Sequence, residues 1–163
     1  MNNFKGDKRG FMLGEETLKI LVAVICIIFL VYILVAIYNS NTSAKKIEEA
    51  KNILSRIETI IVSLEEGAIE NQDVPNPQGW HLYSFMEEEK PNSCLNDNCL
   101  CICANSLIES IKSQAKKCDE KGACLVISNL ATSNLNLKIK DVDELLFIGI
   151  KKQGGKILIG ELK

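Results

Sequence analysis

From Ile20 to Tyr38 the chain reads ILVAVICIIFLVYILVAIY, nineteen consecutive residues without a charge, a proline or a glycine. At about 1.5 Å of rise per residue this run reaches about 28 Å as a helix, close to the roughly 30 Å hydrocarbon layer of a bilayer. In that layer only a helix satisfies its own backbone groups. A buried core helix is shorter and polar on one side, so the stretch is read as one transmembrane helix. Cys26 within it is a small apolar residue facing lipid or another helix. Tyr38 stands where an interfacial aromatic is expected.

A chain of 163 residues that spends about forty on a span and its flanks retains about a hundred for a single small domain. Its 19 basic and 21 acidic residues nearly balance, at a net charge of -2. No Lys/Arg cluster is interleaved with aromatics, which sets nucleic acid aside as a partner. The single histidine, His81, would have to centre any Ser/His/Asp or Cys/His arrangement, and it reads instead as an exposed strand residue. The expectation is a protein that is not an enzyme and carries no cofactor.

Ahead of the span, Lys5, Lys8 and Arg9 outweigh Asp7 and mark the amino end as cytoplasmic, with the rest outside. Lys45 and Lys46 follow the span, so a disulfide-bonded domain carries much of this orientation. A secretory signal peptide fits less well, since its apolar core is about 7 to 15 residues and Thr42-Ser43-Ala44 is a weak cleavage site. The divisions expected are residues 1–19, a cytoplasmic leader and processing region; 20–38, the span; 39–66, an amphipathic helix; and 67–163, a cysteine-rich β domain.

Glu15 to Glu66 contains neither glycine nor proline, and Gly14 and Gly67 bracket it. An almost continuous helix is therefore expected. Asn39 to Ser43 is its one soft place, where short polar side chains bond to the local backbone and favour a kink or a restart. Asn41-Thr42-Ser43 there also meets the N-glycosylation pattern. Farther on, Ile47, Ala50, Leu54, Ile57, Ile61 and Leu64 recur at spacings of three and four, one apolar stripe that is expected to pack on the domain's own sheet rather than in a long coiled coil.

Asn71 to Gly79, with two prolines, reads as a turn-rich connection. After it the period changes to alternation, and strands are expected at residues 80–85, 100–103, 124–128, 135–139, 145–150 and 156–159, with Gln153-Gly154-Gly155 turning the last two into a hairpin. Ala104, Leu107, Ile108, Ile111 and Ala115 keep a helical period between Cys103 and Cys118 and suggest a short helix on the sheet. The fold class is thus α+β: a long helix, then a small, mostly antiparallel, disulfide-bonded sheet domain.

Apart from Cys26, the cysteines are Cys94, Cys99, Cys101, Cys103, Cys118 and Cys124. Six thiols allow about fifteen complete pairings. If 98–103 is a strand, Cys99, Cys101 and Cys103 share a face with neighbouring Cα atoms roughly 6.5 to 7 Å apart, at or past the limit for a bridge. Each then takes a partner among Cys94, Cys118 and Cys124. Six pairings stay open, and the one favoured joins Cys94 to Cys99, Cys101 to Cys124 and Cys103 to Cys118. A zinc or iron–sulfur site competes, but none of the gaps is the usual two residues and no histidine accompanies the group, so no metal is expected. A Cys-x-x-Cys redox pair is absent as well.

Lys8-Arg9-Gly10, then Phe11-Met12-Leu13-Gly14-Glu15, then the apolar helix together resemble the class III signal and first helix of type IV pilin-like proteins, over about fifty residues. The resemblance implies cutting by a prepilin peptidase after Gly10, a mature chain beginning at Phe11, and Glu15 as its fifth residue. It further implies a structural subunit, or minor component, of a surface filament or secretion-like apparatus, in a homo- or hetero-oligomer formed through the N-terminal helix. Cutting creates an amino group, charged below a pKa near about 8, and a neighbouring subunit's Glu15 can pair with it among apolar helices. Glu16 and Lys19 add two charges where pilins are usually uninterrupted and apolar. The alternatives are a single-pass anchor with an extracytoplasmic binding module, in which Glu15 and Glu16 merely favour a helix N-terminus, and a cytoplasmic-facing cysteine-cluster metal protein.

Overall fold

The computed structural model describes residues 8–86, 89–95, 97–106, 110–140 and 144–162, with side chains from residue 17 onward. Helix α1, Lys8–Ser63, is 56 residues long. It starts earlier than Glu15, passing Gly10 and Gly14. A helical glycine costs only about 1 kcal/mol relative to alanine, which a long cooperative helix absorbs. No break falls at Asn39 to Ser43, because the soft residues do not compete with the helix. Thr42 Oγ1 donates to the Tyr38 carbonyl one turn back at 2.8 Å, which keeps its hydroxyl satisfied inside the helical pattern.

By its backbone contacts the chain divides into two units, Met1–Thr42 and Ser43–Lys163. In the first, α1 carries one stretch long and apolar enough to cross a membrane. Apart from half-buried Ile33, the large apolar side chains from Leu18 to Tyr38 are 48 to 72 % exposed. A soluble protein would keep such surface in its core, so a bilayer or another helix is the matching environment.

The second unit holds the rest of α1 and two antiparallel sheets. One has the order β1 (Ile69–Val74), β6 (Leu146–Gln153), β7 (Lys156–Glu161); the other β4 (Gly122–Val126), β3 (Cys99–Ala104), β2 (Trp80–Phe85), β5 (Asn136–Lys138). A 3-10 turn at Asn92–Cys94 precedes β3, and helix α2, Ile111–Glu120, connects β3 to β4. The sheet expected as one is therefore two. At the far edge of β7 an isolated parallel bridge joins Leu130 to Ile157, and the Ala131 and Ile157 amides bond across at 2.8 and 3.0 Å, so that edge is covered rather than open to pairing.

One apolar core joins the helix to both sheets. Ala50, Ile53, Leu54 and Ile57 of α1 are buried with Leu82 and Ile102 of the four-stranded sheet and with Ile148 and Ile159 of the three-stranded one. Ile47, Ile60 and Ile61 pack against this cluster half-buried. The far end of α1 is tied down by the β6–β7 hairpin. Lys152 Nζ donates to the Leu64 carbonyl at 3.1 Å, and the Gly154 and Gly155 amides donate to the Glu66 carboxylate. This cation and these amides meet a helix C-terminus and its neighbouring carboxylate, where unpaired carbonyls and negative charge gather. Gly67, at φ +84°, lies in the turn between α1 and β1, closed by the Ala68 amide on the Glu65 carbonyl at 3.1 Å, a conformation that glycine adopts without strain.

Several expectations shift. Ile69–Val74 is a strand, not wholly part of a turn: its six residues pair with Lys151 through Leu146, so ladder hydrogen bonds outweigh the polar composition of IENQDV. Leu107 and Ile108 lie outside the described residues, and α2 begins only at Ile111, after Ser110 accepts from the Ser113 amide as its cap. Ala104 ends β3 instead of opening the helix. The third expected strand, 124–128, begins two residues earlier, and β5 is reduced to three residues.

Candidate functional site

Alternation on β2 and β3 divides the four-stranded sheet between two environments. Trp80, Leu82, Leu100 and Ile102 face the α1 core. His81, Tyr83 and Phe85 stand opposite Cys103, Cys101 and Cys99 in register, on the face that α2 and the Asn92–Cys94 turn cover. There Tyr83, Phe85 and the cysteines form a second buried cluster with Ala115.

Three disulfides hold that cover in place. Cys94 is bonded to Cys99, Cys101 to Cys124 and Cys103 to Cys118, with Cα separations of 5.8, 4.1 and 5.0 Å. The first ties the 3-10 turn to the start of β3. The second crosses directly between β3 and β4, whose register places Cys101 opposite Cys124. The third fastens β3 to α2 and closes a 15-residue separation, on the order of 3 kcal/mol of stabilisation in the chain-entropy account. Beside it Gln114 is buried and fully used, with Nε2 on the Ala104 carbonyl at 3.0 Å and Oε1 accepting from the Ser106 amide at 2.7 Å. Asp119, at the end of α2, accepts from the Asn92 and Ser93 amides and the Ser93 hydroxyl at 2.8 to 3.0 Å. Desolvation acts to raise its pKa, but these three hydrogen bonds outweigh it and hold the carboxyl below its ordinary value.

Beyond the aromatic pair the same face opens into a cavity of about 570 Å³. Tyr83, Phe85, Asn105, Ser106, Gln114 and Asn136 contribute to its wall. Tyr83 Oη donates to Asn105 Oδ1 at 2.9 Å, and burial raises the phenol's pKa. His81 is half-exposed, stacked on Tyr83 with ring centroids 5.6 Å apart, and its Nδ1 lies 2.7 Å from Asn136 Oδ1. That partner is an amide, which orients the ring without relaying a proton. The cavity is not legible in the sequence. Its signal was the clustering of Asn and Ser at 105–106 and 133–136, which looks no different from ordinary turn composition.

Of the residues singled out at the amino end, Gly10, Phe11 and Glu15 fall in the first turns of α1 by backbone, and their side chains lie outside the described residues, as do all of residues 1–7. The structure brings the six cysteines of the second unit together in three pairs and leaves Cys26 unpaired and exposed. No protein-family model, curated protein or solved structure matches this chain.

Proposed function

We propose that the chain is a membrane-anchored, pilin-like structural subunit or minor component of a cell-surface filament or secretion-like apparatus. Its amino end is cytoplasmic, Ile20 to Tyr38 cross the membrane, and the disulfide-bonded domain stands outside. The observation that carries the reading is the conjunction in α1: a basic stretch ending at Gly10, an apolar residue, a glutamate five residues past that glycine, and then an uncovered apolar helix continuing into a domain-packing half. A prepilin peptidase cuts after Gly10, and the new α-amino group at Phe11 meets Glu15 of a neighbouring subunit. A carboxylate so near an apolar helix is tolerated only at the interface or beside an opposite charge. The domain makes no catalytic contribution and needs no cofactor in this role.

The test is a matched pair of substitutions. Glu15→Ala should leave membrane insertion and the outer disulfides intact while reducing incorporation into crosslinkable oligomers, and Glu16→Ala should do much less. Equivalent behaviour of the two would favour a second reading, a monomeric anchored binding module. The cavity beside Tyr83 supports that reading, being concave, aromatic on one wall and lined by amides and hydroxyls.

A further inference from the structure

The two disulfides nearest the 3-10 turn are in contact with each other. Cys101 Sγ lies 3.8 Å from Cys99 Sγ and 4.0 Å from Cys94 Sγ, and the sulfurs of Cys94, Cys99, Cys101 and Cys124 all fall within 4.8 Å of one another. Four thiolates around a tetrahedral cation with bonds of about 2.3 Å stand roughly 3.8 Å apart. The two contacts made by Cys101 already approach this separation. The two sulfurs within each bond would have to part, and the Cys124 sulfur, within 4.8 Å of the other three, would close on the ion. Three of the four side chains are buried and Cys124 is half-buried, so the site is shielded yet open to an ion on one side. The fourth ligand comes from β4, across the register that sets Cys101 opposite Cys124, which explains how a metal site can arise without a two-residue cysteine gap.

We infer that in the reduced chain Cys94, Cys99, Cys101 and Cys124 form a tetrathiolate site for one soft divalent d10 cation, zinc or cadmium, that excludes and is excluded by the two disulfides. An external dithiol supplies two electrons and two protons to each disulfide and leaves as its own cyclic disulfide. The four thiols then release their protons to solvent as the cation binds. Cys103 and Cys118 take no part. Their sulfurs are instead approached by Gln114 Nε2, at 3.4 and 3.7 Å.

The full-length protein in detergent, carrying Cys26→Ser to remove the lone thiol, is reduced anaerobically with a phosphine and titrated with cadmium ion. The expected result is one cadmium per chain, with the ultraviolet thiolate-to-metal charge-transfer band at four-thiolate intensity and displacement by zinc. The unreduced protein should bind none. Cys124→Ser should weaken binding on the order of tenfold or more, since even lost outer contacts cost about 10-fold, whereas Cys103→Ser with Cys118→Ser should retain it. Circular dichroism follows the fold throughout. A reduced chain that binds no stoichiometric cadmium would overturn the proposal, as would one that stays unfolded with the ion present, or binding that Cys124→Ser leaves unchanged.

Discussion

Gly122 shows how tightly the cysteine face is packed. A Cβ built there would stand 2.5 Å from Cys103 Cβ and 2.7 Å from the Cys118 carbonyl, whereas at Gly160 it would meet nothing within 4 Å. Gly122→Ala should therefore cost about 1 to 3 kcal/mol in a denaturant titration, the usual range for overpacking, and Gly160→Ala should be near neutral. Asp119 supplies a second prediction at this scale. Its folded pKa is depressed by the hydrogen bonds from Asn92 and Ser93. Its contribution is thus fully present above the unfolded carboxylate value of about 3.9 and is lost as pH falls through the lower folded value. Because the group is largely in water, Asp119→Asn should cost no more than about 1 kcal/mol near neutrality, and the difference in Tm from wild type should close in acid. A difference constant across that window would mean that the carboxylate's charge plays no part. Neither feature was legible in the sequence, since each depends on which backbone atoms arrive from elsewhere in the chain.

Elements were legible where a period was strong. The stripe from Ile47 to Leu64 was visible because spacings of three and four leave one helix face apolar, and four of its six residues, Ala50, Leu54, Ile57 and Leu64, are buried. The buried arc is wider than that stripe. Ile53, also buried, belongs to the core that takes in residues of both sheets, and a helix that serves two sheets needs a wider apolar arc than one sheet demands. Leu54→Ala should cost the domain about 2 to 5 kcal/mol, and Ile53→Ala a similar amount, against little for exposed Glu48→Ala. Equal small effects in thermal unfolding would mean that the helix does not share the core. Strand β1 is illegible in the sequence for the opposite reason. Among its residues only Gln72 and Val74 face inward, too few to register as alternation, and its pairing with β6 is made by backbone groups that every sequence carries. The cysteines were more informative than the polar strands. Once 98–103 is extended, the period of two forces Cys99, Cys101 and Cys103 onto one face and sends each to a different partner.

For the whole molecule, an apolar helix joined to a domain with three disulfides fits a membrane that separates a reducing compartment from an oxidising one. In the native protein, thiol labelling without reductant should therefore leave all six outer cysteines unmodified. Labelling of four or more would place the domain in the reducing compartment. What the sequence carried least well at this scale is assembly, because the surfaces that meet in an oligomer are indistinguishable from lipid-facing ones when both are Ile, Leu and Val. The claim of a processed, pilin-like subunit rests most directly on where the mature chain begins. Mass spectrometry of the protein from cells with an active prepilin peptidase should find Phe11 as the amino terminus, cut from Gly10. An intact amino end in those cells would contradict the pilin-like account.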